Sequence, residues 1–261
     1  DALLSVASFR RGLRRVTKPV FVENPRYFHA ENIVHPLLTQ GVPNTLEIQD
    51  GNVVITGSNM SGKSTFLRTL ATGAVMAQTF YTVVADSYTA SFFNVLTSIS
   101  PSDDLMEGKS YYMAEAEALL RMVQVLDENR TSLLHIDEIS RGTNPIERVA
   151  AASALLAYLA RHNTMVIVAT HDIEITQKVK DLYDSYHFSE NVTKESLDFD
   201  YKLKPGIQRV PNGIRILEYL GYPEEITEYL DPISWQAHFG KTYSITLTGD
   251  RTNGYQAVLN Q

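Results

Sequence analysis

Residues 57–64 read Gly-Ser-Asn-Met-Ser-Gly-Lys-Ser and follow the apolar run Val53-Val54-Ile55-Thr56. A helix-forming stretch over residues 62–79 comes next. The spacing G-x-x-x-x-G-K-S between a strand and a helix is that of a phosphate-binding loop. Glycines let the backbone curl so that successive N–H groups face one point, and the helix N-terminus adds the positive end of its dipole there. Gly57, Ser58, Asn59, Met60, Ser61 and Gly62 form the curl in this reading. Lys63 is then expected to reach the β- and γ-phosphates of a nucleotide. The Ser64 hydroxyl is expected to ligate Mg²⁺, which prefers oxygen donors and retains waters. Thr65 is placed to cap the helix or meet the α-phosphate.

A chain carrying such a loop needs a sheet to hold it. Two further apolar runs read as buried strands, Ser132–Ile136 and Met165–Thr170. Helical periodicity is strongest over 111–129, where Tyr112, Ala116, Leu119, Leu120, Val123 and Leu126 share a face. Pro145 sits where a helix could begin, and Ala150 to Leu159 continues it. Val83–Ala85 is taken as a strand, 223–230 as a short helix, and Asp184 to Leu203 as β-like. Strands alternating with helices imply α/β architecture with a mostly parallel central sheet flanked by helices.

The strand over 132–136 runs into Asp137-Glu138. Two adjacent acids at a strand end call for a cation or solvent. Asp137 is expected to hold the Mg²⁺ shell, and Glu138 to orient and polarise an attacking water. The next strand ends at His171, which could hydrogen-bond a γ-phosphate or that water. His135, inside its strand, reads as a core histidine rather than a ligand. The chain has 261 residues, 23 Lys+Arg against 30 Asp+Glu, and no Cys. The absence of Cys excludes a disulfide framework, a zinc ribbon and a thiol nucleophile. A net charge of −7 argues against a domain that coats DNA unaided. No apolar run approaches the roughly 18 residues of a membrane span.

Several segments together resemble the ATPase domain of the MutS family of DNA mismatch-repair proteins, a branch of the ABC-type ATPases. The run Thr56–Thr65 is similar to the family's T-G-x-N-M-x-G-K-S-T, in which Asn-Met is far more specific than a bare loop. Ser102-Asp103-Asp104-Leu105, Gly108-Lys109-Ser110 and Met113-Ala114-Glu115 resemble its S-D-D-L…G-x-S-T-F-M-x-E segment. Asp137–Asn144 resembles D-E-x-x-R-G-T and the position after it, and Ala169-Thr170-His171 resembles A-T-H. His35-Pro36, Val42-Pro43-Asn44, Tyr201–Gly206 and Gly213–Pro223 are similar to flanking elements. The departures are Ser58 for the usual Pro, Tyr111-Tyr112 after Ser110 for Thr-Phe, Asn144-Pro145 for a polar continuation, and a dissimilar tail.

The resemblance implies a P-loop NTPase of the ABC-type ATPase class that hydrolyses ATP with Mg²⁺. It implies that Ser110 meets the γ-phosphate on the opposite subunit and that Asn144 crosses the same interface. Tyr201 would stack on the adenine, with Val42 and Asn44 near it. The expected organisation is a helical lead-in over 1–28, the ATPase domain over 29–230, and a tail over 231–261 with a candidate hairpin. The chain opens on Asp1, without Met, in what reads as a helix already under way. It is therefore expected to be a fragment whose upstream domains grip DNA. A homodimer across composite ATP sites, driving a DNA clamp, is the expected assembly, and a cytoplasmic setting the expected location. A divergent relative outside mismatch repair, or a nucleotide-binding switch with little turnover, stays open on sequence alone.

Overall fold

The computed structural model describes residues 1–13, 15–23, 26–58, 60–99, 111–127, 129–139, 144–192, 196–207, 213–223, 244–250 and 254–260. The chain divides into two units, 1–190 with 199–209 and 191–198 with 210–261. The first opens with α1 (Ala2–Gly12), β1 (Val20–Phe21), β2 (Tyr27–Ile33), β3 (Asn44–Gln49), β4 (Val53–Thr56) and α2 (Lys63–Phe80). It continues through β5 (Ser87–Ala90), β6 (Asn94–Ile99), α3 (Tyr111–Gln124), β7 (Ser132–Asp137), α4 (Pro145–Leu159), β8 (Thr164–Ala169), α5 (Ile173–Lys178) and β9 (Asp184–His187). Next come β10 (Glu190–Val192), β11 (Leu197–Phe199) and β12 (Lys204–Pro205). The second unit carries α6 (Gly213–Tyr219) and the strands β13 (Ser244–Asp250) and β14 (Gly254–Asn260). β13 and β14 pair antiparallel, from Ser244 opposite Asn260 to Asp250 opposite Gly254.

The core is a six-stranded sheet in the order β12-β9-β4-β8-β7-β6. Every pairing in it is parallel except that of the edge strand β12. This is the expected α/β architecture, and the crossovers explain the burial. All residues of β4, β7 and β8 are buried, because helices cover both faces. Alternation along each strand sends side chains to two separate cores. Val53, Ile55, Leu133, Met165, Ile167 and Ala169 meet Phe66, Leu67 and Leu70 of α2. Val54, Leu134, Ile136, Val166 and Val168 meet Leu119, Val149, Leu156 and Ile175 of α3, α4 and α5. Asn52 locks the start of this ladder. Its Nδ2 donates to the Leu182 carbonyl, and its Oδ1 accepts from the Val166 amide at 2.9 Å.

A four-stranded sheet in the order β1-β5-β2-β3 stands beside the loop that precedes β4. It was not anticipated from sequence. The run Val83–Ala85 is not a strand. Val83 is fully buried but makes a single bridge, to Thr17, while the strand proper begins at Ser87. Burial alone therefore accounts for that apolar triplet. The helix expected over 111–129 stops at Gln124, where the chain turns and Asp127 accepts from the Asn129 amide. The segment expected to be helical over 223–230 lies outside the described residues beyond Pro223. Among the described residues no helix is long and apolar enough to cross a membrane.

His135 lies in β7 beside Ile167 and Thr97, fully buried, and neither ring nitrogen finds a hydrogen-bond partner among the described residues. Burial pushes its pKa down from 6.5 to about 3. The folded chain thus keeps this ring neutral while the unfolded chain protonates it near pH 6.5. Below that pH the unfolded state holds one more proton, so stability falls as pH falls, by ~1.4 kcal/mol per pH unit. Urea titrations at pH 6.5, 5.5 and 4.5 should show this slope, and His135→Leu should make the pH dependence shallower by about that amount.

Candidate functional site

The parallel register brings three strand ends to one level. Ala169 of β8 pairs with Ile55 on one side and Asp137 on the other. The loop after β4, the acidic pair after β7 and His171 after β8 therefore emerge from the same edge of the sheet. Open parallel sheets bind ligands at this carboxyl edge. Two backbone bonds extend the register past the strands: the Glu138 amide donates to the Ala169 carbonyl, and the Thr170 amide to the Ile55 carbonyl.

The loop over 57–62 is shaped by two glycines. Gly57 has φ +148, and a Cβ there would lie 2.8 Å from the Phe188 carbonyl oxygen and from Ser61 Oγ. Gly62 has φ +104 and precedes α2 with no side-chain cap. The Phe66 amide makes the first helical bond, to Gly62. The amides of Lys63, Ser64 and Thr65 therefore lie in the first turn, where a helix has no internal acceptors and attracts anions. No acidic side chain occupies that turn. Lys63 is buried and donates from Nζ to the carbonyls of Gly57 and Ser58 at 2.7 and 2.8 Å. These bonds fold the lysine over its own loop and hold its charge at the curl.

A cleft of 440 Å³ opens against this loop, and Val42, Asn44, Ser58, Met60, Gly62, Lys63, Ser64, Thr65, Glu138 and Tyr201 line it. Gly57 and Ser61 support the loop without lining the cleft, and Asn59 lies outside the described residues. Asp137 is buried, and neither carboxylate oxygen finds a hydrogen-bond partner among the described residues. A buried carboxylate in that condition, at the same sheet edge as the Ser64 loop, suits a hard divalent cation with oxygen ligands. Glu138 is buried as well, at φ +64. Such a conformation is uncommon for a residue with a Cβ, costs of order 1 kcal/mol, and persists where the surroundings dictate it. Its Oε2 lies 2.7 Å from His171 Nδ1. An ionised carboxylate can only accept, so the ring donates its Nδ1 hydrogen and leaves Nε2 for another partner.

The far wall depends on Asn44. Its Nδ2 donates to the Tyr201 carbonyl at 2.9 Å and to the Val42 carbonyl, while its Oδ1 accepts from the Leu203 amide at 2.7 Å. The side-chain amide is thus committed to backbone, and Asn44 acts as the clamp that fixes residues 201–203. Lys202 adds a bond from Nζ to the Pro43 carbonyl. Tyr201, held at φ +51, lays its ring 3.2 Å from where a Gly62 Cβ would stand. Phe199 stacks on that ring. Sequence reasoning did not assign His35, Leu38 and Phe188 to the cleft, although all three line it. His35-Pro36 was the available signal. Burial, aided by nearby Arg68, lowers the His35 pKa and favours a neutral ring.

Asn144 does not line the cleft. It caps α4, its Oδ1 accepting from the Glu147 amide at 2.9 Å. Ser110 and the segment before it, 100–110, lie outside the described residues, as do 140–143.

A glycine-shaped loop at the end of β4 on a parallel sheet, with an acid pair at the end of β7 two strands away, is the architecture of a nucleotide-binding P-loop domain. The family model described as MutS domain V matches residues 53–234. The chain is 34% identical over 228 residues to the DNA mismatch repair protein MutS of Thermus thermophilus, covering 87% of this chain and 28% of that protein. It is 32% identical over 271 residues to the same-named protein of Staphylococcus epidermidis, covering 99% of this chain and 30% of that one. The Natronomonas pharaonis protein of that name is 33% identical over 195 residues, 73% of this chain and 22% of its own. The chain belongs to the MutS family, as a MutS-like ATP-binding domain, and spans under a third of these relatives.

Asn44→Ala leaves the Leu203 amide without its acceptor and frees the 201–203 backbone. We expect a loss of about 1–3 kcal/mol in chemical denaturation, with faster amide exchange at Leu203.

Proposed function

We propose that this domain binds and hydrolyses ATP with Mg²⁺, and that two copies close around two nucleotides to drive a DNA clamp in a MutS-like protein. The observation that carries the reading is the meeting, at one sheet edge, of the Lys63 loop with the buried acids Asp137 and Glu138. The loop amides and Lys63 would bind the phosphates. Ser64 and Asp137 would hold the Mg²⁺, which supplies charge neutralisation to the phosphoryl oxygens. Glu138, held in place by its backbone bond to Ala169 and by His171, would orient a water and accept its proton. The phosphoryl transition state is loose, so positioning and charge supply most of the rate. Val42, Asn44 and Tyr201 would form the base-binding wall, with Asn44 holding Tyr201 rather than reading the base.

The partner roles rest on the resemblance. Ser110 of one copy would face the γ-phosphate held by the other, with Asn144 at the same interface. The relatives are named for DNA mismatch repair, and we extend that role to the protein to which this domain belongs. In this reading the DNA would be gripped by other parts of that protein, and the acidic balance of this chain supports that.

Glu138→Gln should retain ATP binding while phosphate release falls by about a hundredfold or more. Normal turnover in that variant would overturn the general-base role. Negligible turnover in the parent protein would instead favour a nucleotide-held switch. Sedimentation of Glu138→Gln with ATP and Mg²⁺ should show a dimer, and a strict monomer in the full-length protein would overturn the composite site.

A further inference from the structure

We propose that Arg148 and Asp172 form a link that couples the start of α4 to the His171–Glu138 pair, with Arg148 as a positioning residue for the hydrolysis proposed above, on which this inference rests. Arg148 donates to Asp172 Oδ2 from Nη2 at 3.1 Å and from Nε at 3.3 Å. The side chains are 22% and 11% exposed, so the pair is far better shielded than a surface ion pair. The two oxygens of Asp172 have divided tasks. Oδ1 accepts from the Glu174 amide and caps α5, while Oδ2 takes the guanidinium. The Asp172 amide donates to Thr170 Oγ1, and the Thr170 amide is bonded to β4. Residues 170–172 are thereby fixed from three directions.

His171 sits in the middle of that segment, and its Nδ1 meets Glu138 Oε2. At the other end, the Arg148 amide closes the first turn of α4 on the carbonyl of Asn144, the residue whose side chain caps the same turn. A chain of bonds therefore runs from Asn144 through Arg148 and Asp172 to His171 and Glu138. A shift of the α4 start drags the Asp172 carboxylate, and with it the neighbouring ring that holds Glu138. Neither residue lines the cleft, so both act through His171 and not on substrate.

The test uses Arg148→Met, Arg148→Lys, Asp172→Asn and the double variant Arg148→Met/Asp172→Asn of this chain. Steady-state ATP hydrolysis and amide exchange over residues 170–174 are the readouts, with melting temperature as the check on folding. Arg148→Met and Asp172→Asn should each lower kcat by about tenfold with KM for ATP within about twofold, and should speed exchange over 170–174. Arg148→Lys should recover part of both effects, because a charge remains without the planar fork. The double variant should be no worse than the worse single one, as coupled partners require. Unchanged exchange in the single variants would overturn the link, as would a double variant whose losses multiply. An active parent with unchanged kcat in Arg148→Met would overturn the positioning role. If the parent does not hydrolyse ATP, the functional reading falls, while the exchange data still decide whether the link exists.

Discussion

The parallel register of β4, β8 and β7 is the constraint on which the rest depends. With Ala169 paired to both Ile55 and Asp137, the glycine curl after β4, the acidic pair and the histidine turn are level without any side chain having to reach. Hydrogen bonds along a ladder permit few intermediate positions, since a slip of one residue would turn every side chain to the other face. The two cores on opposite faces make such a slip prohibitive, because each strand alternates between them. Packing far from the cleft is therefore what sets distances within it.

Much of this is legible in the sequence. The loop spacing and the three apolar strands fixed the α/β class, because helix periodicity and buried runs are strong local signals. The mixed sheet of β1, β5, β2 and β3, in which β1 runs parallel to β5 and the other pairings are antiparallel, was not legible. Its strands carry residues such as Asn32, Glu31 and Thr45 among the apolar ones, and β5 follows a triplet, Val83–Ala85, that mimics a strand through burial alone. At the site, the position of the glycine loop and of the acids at strand ends could be read from motifs, since the chain itself brings them there. The functions of Asn44, Arg148 and Asp172 could not. Each acts through a partner distant in sequence, and an asparagine, arginine or aspartate carries no local sign of which partner it will meet.

Backbone conformation adds a second theme. Met60, Glu138 and Tyr201 all take positive φ and all line the cleft. The conformation of each is imposed by its surroundings: the loop curl for Met60, the Ala169 bond for Glu138, and the Asn44 clamp for Tyr201. The same conformation at Asn32, Asp50 and Tyr81 lies away from the cleft, but at these three lining positions the cleft takes its shape from the surrounding fold.

The Asn44 clamp joins two segments that lie 157 residues apart in sequence. During synthesis, β3 leaves the ribosome well before Tyr201 and Leu203, which emerge only after the five parallel strands of the central sheet have been made. Until then Asn44 has no backbone to bind and the cleft lacks one side. A complete cleft is thus a late property of the growing chain, acquired after the scaffold is in place, so a nascent chain halted before residue 203 would display the glycine loop without the wall opposite it.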